Sequence, residues 1–261
     1  MPLMVGTSGW QYRHWRETFY PRGVPTSSWL EFYAERFATV ESNAAFYRLP
    51  ERHTFEAWAR RTPDDFVWAV KISRYLTHIK RLRKPLEPIG RFIGRATGLG
   101  PKLGPALLQL PPQLARDDAL LAEVLAIFPR DVRLAVEFRH PSWWHVGVRR
   151  LLASHGAALC WADRCGPVAP QWADTGWGYL RFHAGRGSPP SCYGRAALAG
   201  WVERLTAAYS ADDEIYVYFN NDLFACALRD ARVFARLAAA AGWQVSRVPA
   251  AGDVRLGLPA G

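Results

Sequence analysis

The fold is decided by the stretch Leu134-Ala135-Val136-Glu137-Phe138-Arg139-His140-Pro141-Ser142-Trp143-Trp144. Its first six residues alternate. Leu134, Val136 and Phe138 form an apolar set, and Ala135, Glu137 and Arg139 form the other, so a β-strand places them on opposite faces. In a closed barrel one face looks at the surrounding helices and the other looks inside. The set holding Glu137 and Arg139 is therefore the interior one. Four other β-type runs obey the same rule. Trp68, Val70 and Ile72 point outward with Val67, Ala69 and Lys71 inward, and Leu108 and Leu110 outward with Leu107 and Gln109 inward. Leu180 and Phe182 lie outside with Tyr179, Arg181 and His183 inside, and Val217 and Phe219 outside with Tyr216, Tyr218 and Asn220 inside.

Working outward, eight such runs recur: Leu3–Thr7, Thr39–Asn43, Phe66–Ile72, Ala106–Leu110, Leu134–Arg139, Ala157–Trp161, Gly178–His183 and Ile215–Asn220. Helix-period stretches separate them near 28–37, 54–61, 86–98, 117–127, 145–154 and 195–209, with another at 222–241 after the last run. Alternation of strand and helix is the signature of βαβ units on a parallel sheet. The sixth connection, 162–177, carries Gly166, Pro167, Pro170 and Gly176 and reads as mostly loop. A chain of 261 residues matches the roughly 250 of one (β/α)8 TIM barrel and leaves no room for two average domains. The expectation is a single-domain α/β barrel over 1–242, with an Ala/Gly/Pro-rich, loosely held extension over 243–261.

Interior sets turn polar at their C-terminal ends, which is where barrel enzymes assemble active sites. Collected there are Glu41, Asn43, Lys71, Gln109, Glu137, Arg139, Asp163, Arg181, His183 and Asn220. Charges enclosed in a barrel mouth must pair or each costs several kcal/mol, so mutual salt bridges are expected even of a purely structural layer. Read as a site, Glu137 is the first candidate for general acid or base, because burial raises a carboxylate pKa and a neighbouring Lys71 or Arg139 lowers it. Lys71 is its natural partner, and a desolvated lysine at a strand end can also form a Schiff base. His183 could shuttle protons or serve as a fixed hydrogen-bond partner. Glu41, Glu137, Asp163 and His183 would suit a divalent metal, but no H-E-x-x-H or Asp-x-Asp spacing supports one and no cofactor is required. No serine sits in a G-x-S-x-G elbow.

The chain carries 33 Lys+Arg against 23 Asp+Glu, a formal +10, which predicts attraction to anions. Residues 71–102 hold nine positive residues against Glu87 alone, so most of that excess has one address. Its densest part runs from His78 through Lys80, Arg81 and Arg83 to Lys84, beside Tyr75, and follows the third strand onto the mouth. A solvated loop face and a phosphate or nucleic-acid clamp are the two readings of the 74–84 loop. Trp10, Tyr12, Trp15, Phe46, Tyr47, Trp143 and Trp144 fall on the same rim, where they either stack bases or sugars or simply anchor loops. The turn Gly6-Thr7-Ser8-Gly9 lacks phosphate-loop spacing.

Cys160, Cys165, Cys192 and Cys226 form no C-x-x-C pair, which suggests neither a disulfide framework nor a structural zinc site and points to a reducing cytoplasm. Neither a signal-peptide pattern nor an 18-residue apolar run is visible, so no membrane association is expected.

Across its length the sequence resembles the DUF72 family, the YecE-like proteins. The resemblance is carried by GTSGWQYRHW at 6–15, FYP at 19–21, VESNAAFYRLP at 40–50, FVWAVKISRYLTH at 66–78 and LLQLPP at 107–112. It continues with VEFRHPSWW at 136–144, WAD at 161–163, RFHAGR at 181–186 and YVYFNND at 216–222. Ala45 and Ala184 depart from that pattern. The resemblance implies a TIM barrel and names no reaction.

The leading expectation is an enzyme acting on a phosphate-bearing or otherwise anionic substrate, with nucleic acid or a nucleotide among the candidates. Glu137 would be its acid/base, and Lys71, Arg139 and Arg181 would orient the anion. A second reading is a non-catalytic nucleic-acid-binding barrel using the basic loop and rim aromatics. A third, from fold analogy alone, is a metal-dependent phosphoesterase.

Overall fold

The computed structural model describes residues 3–164 and 168–254. Eight parallel strands close in sequence order: β1 Met4–Ser8, β2 Thr39–Ser42, β3 Val67–Lys71, β4 Leu103–Gln109, β5 Leu134–Glu137, β6 Ala158–Asp163, β7 Trp177–Phe182 and β8 Glu214–Phe219. β8 returns to β1 through Met4 opposite Tyr216, which makes the sheet edgeless. Between and after the strands lie α1 Trp29–Arg36, α2 Ala44–Tyr47, α3 Arg52–Arg60, α4 Leu86–Ala96, α5 Asp118–Ile127, α6 Val146–Ser154, α7 Arg195–Ala208 and α8 Cys226–Ala240. The sequence-based elements are all present, and the short α2 is an addition. The sixth connection has no helix among its described residues; Cys165, Gly166 and Pro167 lie outside them.

Local chemistry explains where several helices begin and which way they face. The Asp117 carboxylate accepts the Leu120 amide at 3.1 Å and caps α5. In α4, Ile89, Phe92 and Ala96 recur at helical spacing and are its buried residues. Outside the barrel, Val40, Trp68, Val70, Val136, Trp161, Phe182 and Phe219 form one continuous apolar layer with helix residues such as Tyr33, Phe55, Leu121, Trp201 and Phe234. Each large side chain moved from water into that layer contributes about 1.5–3 kcal/mol.

The interior is a second, smaller cluster including Met4, Ala69, Leu107, Ala135, Cys160, Tyr179, Tyr216 and Tyr218, so the alternation read from the sequence holds. Its lower layers are less apolar than the strand pattern suggests. The Tyr218 and Thr39 hydroxyls share a hydrogen bond at 2.7 Å, and at the bottom Glu214 accepts from Tyr216 and pairs with Arg133.

Two expectations change. Residues 243–254 are held: the Leu3 amide donates to the Gln244 carbonyl, the Ser246 amide donates to the Leu3 carbonyl, and Arg247 pairs with Asp65. Residues 255–261 lie outside the described part. Second, Cys192 and Cys226 form a disulfide, with Cα atoms 4.9 Å apart, joining the loop after β7 to the start of α8. The absence of a C-x-x-C pair could not exclude it, because the partners are 34 residues apart and meet only when α8 packs. The bridge removes the ground on which a reducing compartment was expected. No helix among the described residues is long and apolar enough to cross a membrane.

Candidate active site at the barrel mouth

Arg181 on β7 organises the mouth. Its Nη2 donates to Glu41 Oε1 on β2 at 2.7 Å and its Nη1 donates to Glu137 Oε2 on β5 at 2.5 Å, with all three residues buried. Such charge-assisted bonds fix geometry as well as charge. Tyr179, two residues earlier on the same face of β7, donates its hydroxyl to Glu41 Oε2 at 2.7 Å. The second Glu137 oxygen accepts from Gln109 Nε2 at 3.0 Å and Arg139 Nε at 3.1 Å. His183 Nε2 lies 3.5 Å from that oxygen, and its Nδ1 is 3.1 Å from Asn220 Nδ2. Arg181 Nη1 lies 3.3 Å from the same Nε2, so that ring nitrogen faces both a guanidinium donor and a carboxylate.

These contacts decide the protonation states. Burial alone would raise the Glu137 pKa, but Arg181, His183 and Arg139 outweigh it and hold the carboxyl well below its usual range. Burial likewise opposes ionisation of Glu41, and Arg181, Lys71 and the Tyr179 hydroxyl overcome it. Burial disfavours the Arg181 charge, yet the two carboxylates push its pKa well above the ordinary value. His183 is pushed down, first by burial and then by Arg181, so it stays neutral. The acid/base role expected of Glu137 does not fit this environment: its pKa is far from neutrality and both oxygens are occupied. Its geometry is that of a positioning residue.

Lys71 differs. It ends β3, is 7% exposed, and has no hydrogen bond or ion pair among the described residues. Its Nζ lies 4.0 Å from the ring centroid of Phe46, on α2. Burial, then the repulsion of Arg181, lowers its pKa to about 8 against the pull of Glu41 and Glu137. His78, in the turn after β3, packs edge-on against Phe46 and is pushed down by burial and by Lys71. The basic segment thus touches the rim. Lys80 Nζ rests over the Tyr75 ring at 5.4 Å, whereas Arg81 and Lys84 are exposed with positive φ of 49° and 50°.

Asp163 is not brought in. The β6 residues facing inward are Ala158, Cys160 and Ala162, so Asp163 points to the helix layer and accepts Trp201 Nε1 at 2.8 Å. Glu41 and Glu137 are committed to Arg181, and among the described residues no three His, Cys, Asp or Glu side chains group as metal ligands. The four donors considered for a metal therefore do not converge. Trp10 is buried edge-on against Trp58 and Trp68 and also lines a cleft beside the mouth, whereas Trp15 and Trp143 are buried in the packing. Tyr12, half-buried with its hydroxyl on the Ser8 carbonyl, Asn43 and the exposed Tyr47 line the same cleft, of about 190 Å³.

Sequence reasoning passed over Arg164, Tyr179 and Ser8. Arg164 directly follows the C-terminal end of β6, on the mouth side of the barrel, and is pushed down by burial and by Arg139. The abundance of arginine, 29 of 33 basic residues, masked it. Tyr179 carried a signal in its inward parity. Ser8 ends β1 with a buried hydroxyl that has no partner among the described residues.

The fold and this polar mouth define a TIM-barrel protein whose charged side chains converge at the C-terminal strand ends. The family model for DUF72, described as a protein of unknown function, matches residues 4–253, and the chain belongs to that family. It is 28% identical to the UPF0759 protein YecE of Escherichia coli K12 over 155 residues, 59% of this chain and 54% of YecE. The match thus spans about half of that relative. To the UPF0759 protein YunF of Bacillus subtilis it is 22% identical over 84% of this chain and 89% of that one. Among solved structures, a DUF72 family protein of Thermotoga maritima superposes with a TM-score of 0.78 at 27% identity, covering 91% of this chain and 99% of that one. One from Enterococcus faecalis, at TM-score 0.74 and 17% identity, covers 91% and 95% and shares the fold.

Proposed function

We propose that the barrel mouth is an enzyme site for a small anionic substrate, with Lys71 as the reactive group and Arg139 as the docking cation. The observation that carries this reading is Lys71 itself, a buried ammonium without a counter-charge on a floor where every carboxylate is already engaged. Lys71, Arg139, Arg164 and Arg181 stand against Glu41 and Glu137, and both nearby histidines are pushed toward neutrality, so the mouth carries an excess of two positive charges. An anion would relieve it. Arg139 uses only Nε on Glu137, and its two terminal nitrogens are unpartnered among the described residues.

Thermal unfolding with inorganic phosphate, pyruvate and a nucleoside monophosphate tests the reading. At least one should raise the Tm of the wild type, with affinity falling about tenfold or more in Arg139→Ala, as expected for a lost charge-assisted pair. Lack of stabilisation by any anion across the millimolar range would sink it.

A second reading, nucleic-acid binding, rests on the exposed Arg74, Arg81, Arg83 and Lys84, which have no ion-pair partner among the described residues. If the loop is a phosphate clamp, replacing Lys80, Arg81 and Lys84 by Ala flattens the log K against log salt slope for DNA or RNA by up to about three units. An unaltered slope excludes it.

A further inference from the structure

We propose that Lys71 acts as a covalent amine, forming a Schiff base with a carbonyl substrate that also bears a carboxylate or phosphate. The proposal rests on the anion-site reading and adds a bond to it. Three observations on the residue itself support it. The amine is at the end of β3, directed into the mouth, and buried against the Phe46 ring, which cannot take its proton. No oxygen among the described residues accepts from it, so its lone pair is not diverted once the proton leaves. Arg181 faces it from β7, the strand diametrically opposite, and its positive charge is fixed there by Glu41 and Glu137. The result is an amine of pKa about 8, which at pH 7.5 holds roughly two hundredfold more neutral form than an ordinary lysine.

The step balances without an external oxidant or reductant. The Nζ lone pair forms a C–N bond to the carbonyl carbon while the C=O π electrons move to oxygen, which takes a proton. The nitrogen then loses a proton to solvent at the open mouth. The carbinolamine hydroxyl is protonated and leaves as water, its C–O bond breaking as nitrogen forms C=N. The product is the imine or its protonated iminium plus one water. The substrate's anionic group is met by the terminal nitrogens of Arg139, and the iminium charge replaces the ammonium charge, so the electrostatics of the mouth are preserved.

The chain has four lysines, Lys71, Lys80, Lys84 and Lys102, and Lys102 donates to the Ala59 and Thr62 carbonyls, so adducts can be mapped cleanly. Protein incubated with pyruvate or with acetone is reduced by cyanoborohydride and the modified peptides identified by mass spectrometry. The expected result is modification at Lys71 about tenfold or more above Lys80 and Lys84, faster with pyruvate than with acetone, and climbing through pH 8. Lys71→Arg, which keeps the charge, and Lys71→Met should both lose it while retaining the wild-type circular dichroism. Arg139→Ala should slow pyruvate more than it slows acetone. Modification that follows exposure, with Lys80 and Lys84 labelled as fast as Lys71, overturns the proposal. So does a pyruvate-induced rise in Tm, abolished in Arg139→Ala, without adduct at Lys71; in that case the anion site stands alone. If pyruvate produces neither adduct nor Tm shift while phosphate stabilises, the covalent step falls and the anion reading survives. If no anion does either, both fall.

Discussion

Arg181 and Lys71 occupy opposite strands of one barrel, both buried at its mouth, and their surroundings differ in nearly every respect. Arg181 has a carboxylate on each terminal nitrogen, and its charge is reinforced. Lys71 has an aromatic face, no acceptor among the described residues, and a pKa drawn down to about 8. The difference teaches which half of the mouth is scaffold and which half is poised. An ion network whose charges are mutually paired holds shape, whereas an uncompensated buried cation is stabilised by whatever anion arrives.

The largest effect should come from breaking the charge-paired half. Arg181→Met leaves Glu41 and Glu137 buried without their shared counter-charge and should cost about 3–5 kcal/mol in urea unfolding. Adding Glu41→Gln and Glu137→Gln should recover most of that loss. Recovery confined to a small fraction would mean that Arg181 matters through packing.

Next comes Lys71→Met. Below pH 8 folded and unfolded wild type are both protonated at Lys71, so the full penalty of the buried ammonium is present. Between about 8 and 10.5 the folded state has released a proton that the unfolded state retains, so stability rises with pH. The rise attributable to Lys71 is at most about 3.5 kcal/mol at roughly 1.4 kcal/mol per pKa unit. Lys71→Met should be the more stable protein at pH 7, and its advantage should shrink across that window. An advantage constant with pH would show that the ammonium is not desolvated.

Glu137→Gln should have a smaller effect, destabilising where Lys71→Met stabilises, and its pH dependence falls in an acid window with the same rising slope. Because the folded pKa lies below the ordinary 4.5, its stabilisation is present above that value and lost as pH falls through the folded pKa. The variant should lose about 1.5–3 kcal/mol at pH 7 and show a shallower acid limb, read from unfolding between pH 2 and 6. An unchanged acid limb would deny Glu137 its place in the network. Smallest of all, alanine at Lys80, Arg81 and Lys84 should shift stability by no more than about 0.5 kcal/mol in total, because Arg81 and Lys84 sit in solvent and Lys80 is half-buried over one exposed ring, Tyr75. A larger loss would make that loop part of the scaffold.

Much of this was determined by the sequence alone. Strand alternation has a period of two, so the faces of β3, β4, β5, β7 and β8 could be read directly, and with them the inward placement of Lys71, Gln109, Glu137 and Arg181. Location of the charge excess after β3 is likewise a matter of counting. Pairing is not. Glu41 and Arg181 are 140 positions apart, and only barrel closure brings β2 and β7 within one guanidinium of each other. Asp163 shares the outward parity of Leu159 and Trp161 on β6, so its exclusion from the mouth was legible in the strand pattern, where the small Ala158, Cys160 and Ala162 mark the inward face. The Cys192–Cys226 bridge and the burial of Trp10 and Trp15 are also products of packing, since a residue's exposure depends on what the rest of the chain lays over it. The sequence determined which side chains enter the mouth. Tertiary structure decided which of them neutralise one another and left Lys71 as the buried cation without a partner among the described residues, because Coulomb energy depends on distance through space and not along the chain.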